Sequence, residues 1–306
     1  MEYIPVLLNE CIEGLKIKPD GIYVDGTLGR GGHAREIAGR LGTGRLIAID
    51  RDAEAIEETR GLLTEYGDRI IFVHGNFKDT KEILKECNVE KADGMLFDLG
   101  VSSPQLDDGR RGFSHMHDAP LDMRMDRRGE TTAGDIVNCW PEEELRRIFY
   151  EYGEERHAGI ISRAIVRKRA GKRINTTFDL NNVIFSAIPG SARREAQHPS
   201  KRCFQALRIA VNDELGSIAG MLDSAPDMLK TGGRLCVISF HSLEDRLVKQ
   251  SFSLQASGCV CPKDFPVCVC GVTPTMRIIT KRPVTPGGSE SNLRARSAKM
   301  RIAERL

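Results

Sequence analysis

The chain has 306 residues, 45 Lys/Arg against 43 Asp/Glu for a formal net charge of +2, and a hydrophobic content of 40%. That is enough for one large core or a core plus a smaller lobe, and no apolar run approaches the ~20 residues of a membrane span. Nine cysteines, an odd number with five of them scattered, argue against a disulfide framework, and the N-terminal MEYIPVLLNECIEGL lacks a basic stretch ahead of an apolar one, so a reducing, cytoplasmic setting is expected.

The first hundred residues alternate strand and helix signals. GIYVD (21–25), RLIAID (45–50), RIIFVH (69–74) and GMLFDLG (94–100) are short apolar runs ending in polar or turn residues. Amphipathic stretches lie between them, from His33 to Leu41, Asp52 to Tyr66 and Lys78 to Asn88, with Asp52 placed as an N-cap. Continuous apolar strands alternating with helices predict a parallel sheet covered on both faces. Ligands of such sheets bind at the carboxyl ends of the strands, where Asp25, Asp50 and Asp98 fall.

The first strand runs into YVDGTLGRGGH (23–33), with four glycines in seven positions. Gly29, Gly31 and Ala34 fit the loose spacing of a dinucleotide-binding turn. Asp25 in the same turn would repel a pyrophosphate, so the turn suits a ligand with an adenosine and a positive charge but no phosphate. Asp50, 19 residues beyond Gly31, is placed to take the hydroxyls of an adenosine ribose. His33 reads equally as a ligand contact or as a histidine making local hydrogen bonds at a helix start. FDLGVSSPQLD (97–107), after the fourth strand, predicts a rigid loop presenting hydrogen-bond acceptors to the same cleft. An exocyclic base amine needs such acceptors, because its lone pair is delocalised until its protons are held.

From Val101 to Lys230 the strand rhythm stops. Helical segments follow: PEEELRRIFYEYG with Pro at its start, Glu154 to Ala170, Thr177 to Ile188, and a long one from Lys201. The strand signal resumes with GRLCVISF (233–240), and MRIIT (276–280) with SAKMRIAERL (297–306) forms a candidate closing hairpin. The expected organisation is a sheet domain of residues 1–105 and 209–306 with an inserted helical domain of residues 106–208. Arg156 to Arg208 carries twelve Lys/Arg against two acids, and Met276 to Leu306 eight against two. Two basic stretches on an otherwise acidic chain point to a polyanionic partner, nucleic acid ahead of a solvated helix face.

Two further motifs remain. In SFHSLEDRLVK (239–249) Ser242 and Asp245 have capping-box spacing, with Asp in place of Glu or Gln, and His241 stays open. Cys259, Cys261, Cys268 and Cys270 form C-x-C-x6-C-x-C, which offers four thiolates to a structural zinc but is less diagnostic than C-x-x-C knuckles.

Together VDGTLGRGGH, AIDRD, FDLGVSSPQLD, DMRMD, YGEERHA, RCFQALRIAVNDEL, GGRLCVISFHSLEDRLVK and RARSAKMRIAER resemble the MraW family, end to end and in order. Those proteins are bacterial methyltransferases that modify a cytosine at N4 in the decoding region of 16S rRNA. The resemblance implies a class I S-adenosylmethionine-dependent methyltransferase (Rossmann-like) α/β sheet with an inserted all-helical domain, and it does not depend on the cysteine quartet. Carried onto matching positions, it places Gly31, Gly32 and His33 at the cofactor's amino-acid end, Asp50 on the ribose and Phe77 beside the adenine. Asp98 and Gln105 complete the pocket around the methionine and methyl group. The resemblance assigns no general base. On physical grounds Asp98, or a carbonyl of the VSSP loop, is the expected acceptor of the amine proton, in a direct displacement without a catalytic metal. The basic stretches Arg156–Arg173 and Arg193–Arg208 are the expected clamp on 16S rRNA within the small ribosomal subunit. A non-catalytic RNA-binding assembly factor and an NAD-dependent oxidoreductase are the rival readings, the latter disfavoured by Asp25 and the basic insertion.

Overall fold

The computed structural model describes residues 5–194, 198, 200–259, 261–262, 265–267, 269–287 and 295–306. They fall into two compact units, Met1–Gly100 with Leu215–Leu306, and Val101–Glu214.

The first unit opens with α1 (Leu8–Leu15), β1 (Ile22–Asp25), α2 (Gly32–Arg40), β2 (Arg45–Asp50), α3 (Ala53–Leu62), β3 (Ile70–His74), α4 (Thr80–Glu86) and β4 (Ala92–Asp98). The second unit contributes α5 (Ser103–Asp107), α6 (Ala133–Cys139), α7 (Glu142–Glu151), α8 (Ala158–Gly171), α9 (Thr177–Ala187) and α10 (Ser200–Asn212). The chain returns through α11 (Glu214–Met228) to β5 (Leu229–Ser239), α12 (Ser242–Ser257), β6 (Met276–Ile278) and β7 (Lys299–Arg305). Among the described residues no helix is long and apolar enough to cross a membrane.

The seven strands form one sheet in the order β3-β2-β1-β4-β5-β7-β6. The first five run parallel, and β7 pairs antiparallel with both β5 and β6, so the C-terminal strand signals do close the sheet as a hairpin. Alternation along the inner strands supplies two cores. Val24, Ile47, Ile49, Met95, Phe97, Leu235 and Val237 pack on one face with residues of α4, α11 and α12. Tyr23, Leu46, Ala48, Leu96, Cys236 and Ile238 pack on the other with α1, α2 and α3. Burial of β1, β2 and β4 on both faces explains why they read as unbroken apolar runs.

The second unit has a core of its own, including Met123, Ile136, Leu145, Phe149, Ile161, Ile165, Leu180, Ile184 and Leu207. Its helices are firmly started: Thr132 and Asp135 make a reciprocal capping box on α6, and Thr176 Oγ1 accepts the Asp179 amide on α9.

Four expectations need correction. The long helix from Lys201 is two helices, separated at Asp213, whose φ of 45° takes it out of the helical region. The fifth strand begins at Leu229, four residues before the expected start, because Leu229 already pairs with Ala92 across a bulge. The loop after β4 closes into α5, where Ser102 and Gln105 bond reciprocally: the Ser102 amide donates to Gln105 Oε1 at 3.1 Å and the Gln105 amide to Ser102 Oγ at 3.5 Å. At α12 the cap is Glu244, whose Oε2 accepts the Phe240 and His241 amides at 2.7 and 3.2 Å. Asp245 instead pairs with Arg301 and Lys299 of β7.

Candidate functional site

Successive side chains of a strand alternate faces. Asp25, Asp50 and Asp98 each follow a residue of the first core, namely Val24, Ile49 and Phe97. All three therefore carry their carboxyls toward the face of α2, at the carboxyl edge of the sheet. The strand order reverses between β1 and β4, which is where open α/β sheets leave a crevice for a ligand.

The turn after β1 is fixed by its backbone. The Gly26 amide donates to Leu96 O, Leu28 to Ile49 O, and Gly31 to Leu28 O, at 2.9, 2.9 and 2.7 Å. Gly31 is the N-cap of α2 with φ 71°, and a Cβ there would lie 2.4 Å from Thr59 Cγ2. A Cβ on Gly32 would lie 2.2 Å from Pro5 Cγ. Packing alone thus requires both glycines, and the same packing brings the start of α2 to the crevice edge. First-turn amides of a helix lack intrahelical acceptors, and the helix dipole favours an anion there.

Asp50 is held by two amides: Oδ2 accepts from Gly29 at 2.8 Å and Oδ1 from Asp52 at 2.8 Å. A carboxylate offers about four lone-pair sites, so Asp50 is oriented and retains capacity for two hydroxyl donors. Phe77, buried after β3, meets Phe97 edge-on at 5.7 Å and carries the Arg51 guanidinium over its ring at 5.3 Å. Gln105 is buried in the second unit, where its amide oxygen takes part in the cap of α5.

His33 is buried, and its Nε2 lies 3.1 Å from Val6 O. A carbonyl only accepts, so Nε2 carries the proton. Burial holds the ring's pKa down at about 4, which leaves it neutral, and Nδ1 sits 3.9 Å from Asp98 Oδ2. Asp98 is anchored through its own amide, which donates to Thr27 Oγ1 at 2.6 Å.

The carboxyls share one electrostatic condition. Asp25 is pushed up to about 7, by burial first and by Asp50 next among the raising effects, with the Thr27 amide opposing. Burial raises Asp50 against the pull of its two amides. Asp98 is held well above the usual carboxylate range by burial, then by Asp25 and Glu244. Asp25 Oδ2 and Asp98 Oδ1 are buried with no hydrogen-bond partner among the described residues. Groups left in this state call for a ligand that brings donors or positive charge.

S-adenosylmethionine, the cofactor that the resemblance implies, fits on chemical grounds. Its sulfonium and ammonium supply positive charge, its ribose two hydroxyl donors, and its carboxylate an anion for the start of α2. The structure brings Gly31, Gly32, His33, Asp50, Phe77 and Asp98 to the carboxyl edge of one sheet. Sequence reading missed Thr27 as the anchor of Asp98, although it stands in the same VDGT run, and missed Glu244 as a charge acting on Asp98, which strand spacing could not reveal.

The family model described as the MraW methylase family matches residues 1–306. The chain is 52% identical over 306 residues to a protein of Carboxydothermus hydrogenoformans called ribosomal RNA small subunit methyltransferase H, covering 99% of this chain and 98% of that one. Proteins of the same name from Halothermothrix orenii and Clostridioides difficile are 52% and 51% identical, over 100% and 99% of this chain and 99% of each relative.

Proposed function

The chain belongs to the MraW methylase family, and from that premise we propose that it is an S-adenosylmethionine-dependent methyltransferase that modifies N4 of a cytosine in the decoding region of 16S rRNA. It acts in the cytoplasm, on the small ribosomal subunit. The observation that carries the reading is the pair of buried, partnerless carboxylate oxygens, on Asp25 and Asp98, at the point where the strand order reverses.

The cofactor supplies an activated methyl group. Gly31, Gly32 and His33 at the start of α2 would hold its amino-acid end, Asp50 the ribose and Phe77 the adenine, with Asp98 completing this side of the pocket. Asp98 accepts a proton from the target amine, which restores the nitrogen's lone pair as a nucleophile. It must be ionised to do so, and a cation beside Asp25 and Asp98 draws both carboxyls down. His33, neutral and locked by Val6 O, keeps a second positive charge out of the crevice. Positioning and fixed charge supply the rate, and N4 becomes accessible only when the cytosine is unpaired.

The helical unit supplies the RNA-binding surface, but not every cation counted in the sequence is available. Arg169 donates to Val137 O and Trp140 O at 2.8 and 2.7 Å, so it closes the end of α6. Arg193 bonds Ile188 O and Ser186 O, Arg202 faces Glu155 at 3.6 Å, and Arg208 makes a two-bond pair with Glu214. Arg167 and Lys168 on α8, with Lys172 just beyond it, are exposed and close together in sequence.

Wild-type protein should incorporate labelled methyl into isolated, unmodified small subunits. Arg167→Glu with Lys168→Glu and Lys172→Glu should weaken binding of the subunit RNA and flatten its salt dependence by nearly one log–log unit per lost phosphate contact. Cofactor affinity should not change. An unaltered salt slope would make this a solvated helix face, and cofactor binding without any methyl incorporation would favour the assembly-factor reading.

A further inference from the structure

The segment between α12 and β6 plays no part in the reaction above. It leaves α12 at Gly258, whose φ is 61° and whose Cβ position lies 2.3 Å from Pro274 Cδ. The Thr275 amide donates to Gln255 O at 2.9 Å. These contacts pin the two ends of the segment together. Between them Phe265, Val267, Val269 and Val272 are 51%, 70%, 73% and 45% exposed. Apolar side chains on the surface do not hold such a stretch in shape.

Three sulfurs converge there. Those of Cys259, Cys261 and Cys270 all lie within 4.8 Å of one another, and Cys270 Sγ is 3.9 Å from Cys259 Sγ. Ligands about 2.3 Å from a tetrahedral ion stand about 3.8 Å apart. The Val269 amide donates to Cys261 Sγ at 3.4 Å, which fixes that sulfur within the cluster. The cysteines that serve as packing look different. Cys11, Cys203 and Cys236 are buried, and burial raises their thiols, that of Cys236 up to about 12. Cys259 is exposed, and Cys261 and Cys270 are half-buried.

We propose that Cys259, Cys261 and Cys270 bind a zinc ion, which stands in for the core that the described apolar residues of this segment do not form. Clustered thiolates select a soft, tetrahedral ion, and coordination contributes directly to local folding where apolar burial does not. Cys268, the fourth cysteine of the sequence motif, lies outside the described residues, and the proposal does not rest on it. The site is separate from the carboxylates that serve methyl transfer, so its loss leaves the cofactor crevice intact.

Purified under reducing conditions without added metal, the full chain should carry about one zinc per molecule by plasma mass spectrometry. After chelation, cobalt(II) should restore the metal and give thiolate-to-cobalt charge-transfer absorption with tetrahedral d–d bands. Cys261→Ser with Cys270→Ser should remove both zinc and bands while S-adenosylmethionine affinity is kept. Chelation of the wild type should speed chymotryptic cleavage at Phe265, a readout that needs no variant to fold. Reduced wild-type protein that holds no zinc and gives no cobalt bands would overturn the proposal. So would zinc retained by the double variant, or a disulfide joining any two of the three cysteines.

Discussion

Asp98→Asn should slow the methyl-transfer step by at least ~10²-fold, the low end for removing one positioned proton-transfer group. The substitution keeps the shape of the side chain and removes its negative charge and its capacity to take a proton. Asp98 ends β4 beside the reversal of strand order, its amide is fixed to Thr27 Oγ1, and its Oδ1 is buried without a hydrogen-bond partner among the described residues. A buried carboxyl is costly to keep charged without a partner, and one in this state at a cleft marks a functional group. Asp98→Asn should not destabilise the apo protein at pH 8, where a neutral amide relieves the repulsion from Asp25 and Glu244. RNA binding should survive, since the outward cations of the helical unit are untouched. Single-turnover rates at saturating cofactor and RNA isolate the chemical step. A variant as fast as wild type under those conditions would make Asp98 a binding residue alone.

Cofactor affinity should rise about tenfold per pH unit between pH 5 and 7 and level off above, because one proton leaves as the cation binds. Asp25 supplies that proton: its carboxyl is pushed up to about 7 in the free protein, chiefly by burial. A cation in the crevice lowers it, so below pH 7 binding must first displace the proton. The same group acts on folding with the opposite slope. Its folded pKa lies above its unfolded value of about 3.9, so its contribution to stability is full below pH 4 and is lost as pH rises toward 7. Asp98, also raised, can steepen the binding slope. Titration calorimetry across pH 5 to 8 measures both affinity and proton release. Affinity that stays flat over that range, or a slope that Asp25→Asn leaves undiminished, would remove Asp25 from the site.

Much of the crevice was legible in the sequence because it is built from strand ends. Parallel strands buried on both faces advertise themselves as apolar runs, and the residue that ends each run falls at the carboxyl edge of the sheet. Counting by twos from Tyr23, Leu46 and Leu96 even gives the shared face of Asp25, Asp50 and Asp98. What sequence reading lost was decided by partners far along the chain. Asp245 has the spacing of a cap for Ser242, but Arg301 and Lys299 claim it, and Glu244 caps α12 instead. Arg169 counts as a cation in a basic run, yet it spends its donors on the end of α6. Gln105 had a local signal that was passed over: Ser102 stands three residues before it, in the spacing of a capping box. Helix α1 has only eight residues, too short for its period to stand out, and its Cys11 and Leu15 are defined by the sheet face they cover.

Mass mapping of 16S rRNA from a strain that lacks this chain bears most directly on methylation of cytosine N4. One methyl group should disappear from the base of a single cytosine in the decoding region. Restoring the wild-type chain should return it, and restoring Asp98→Asn should return far less. An rRNA map identical with and without the chain would contradict the proposed activity.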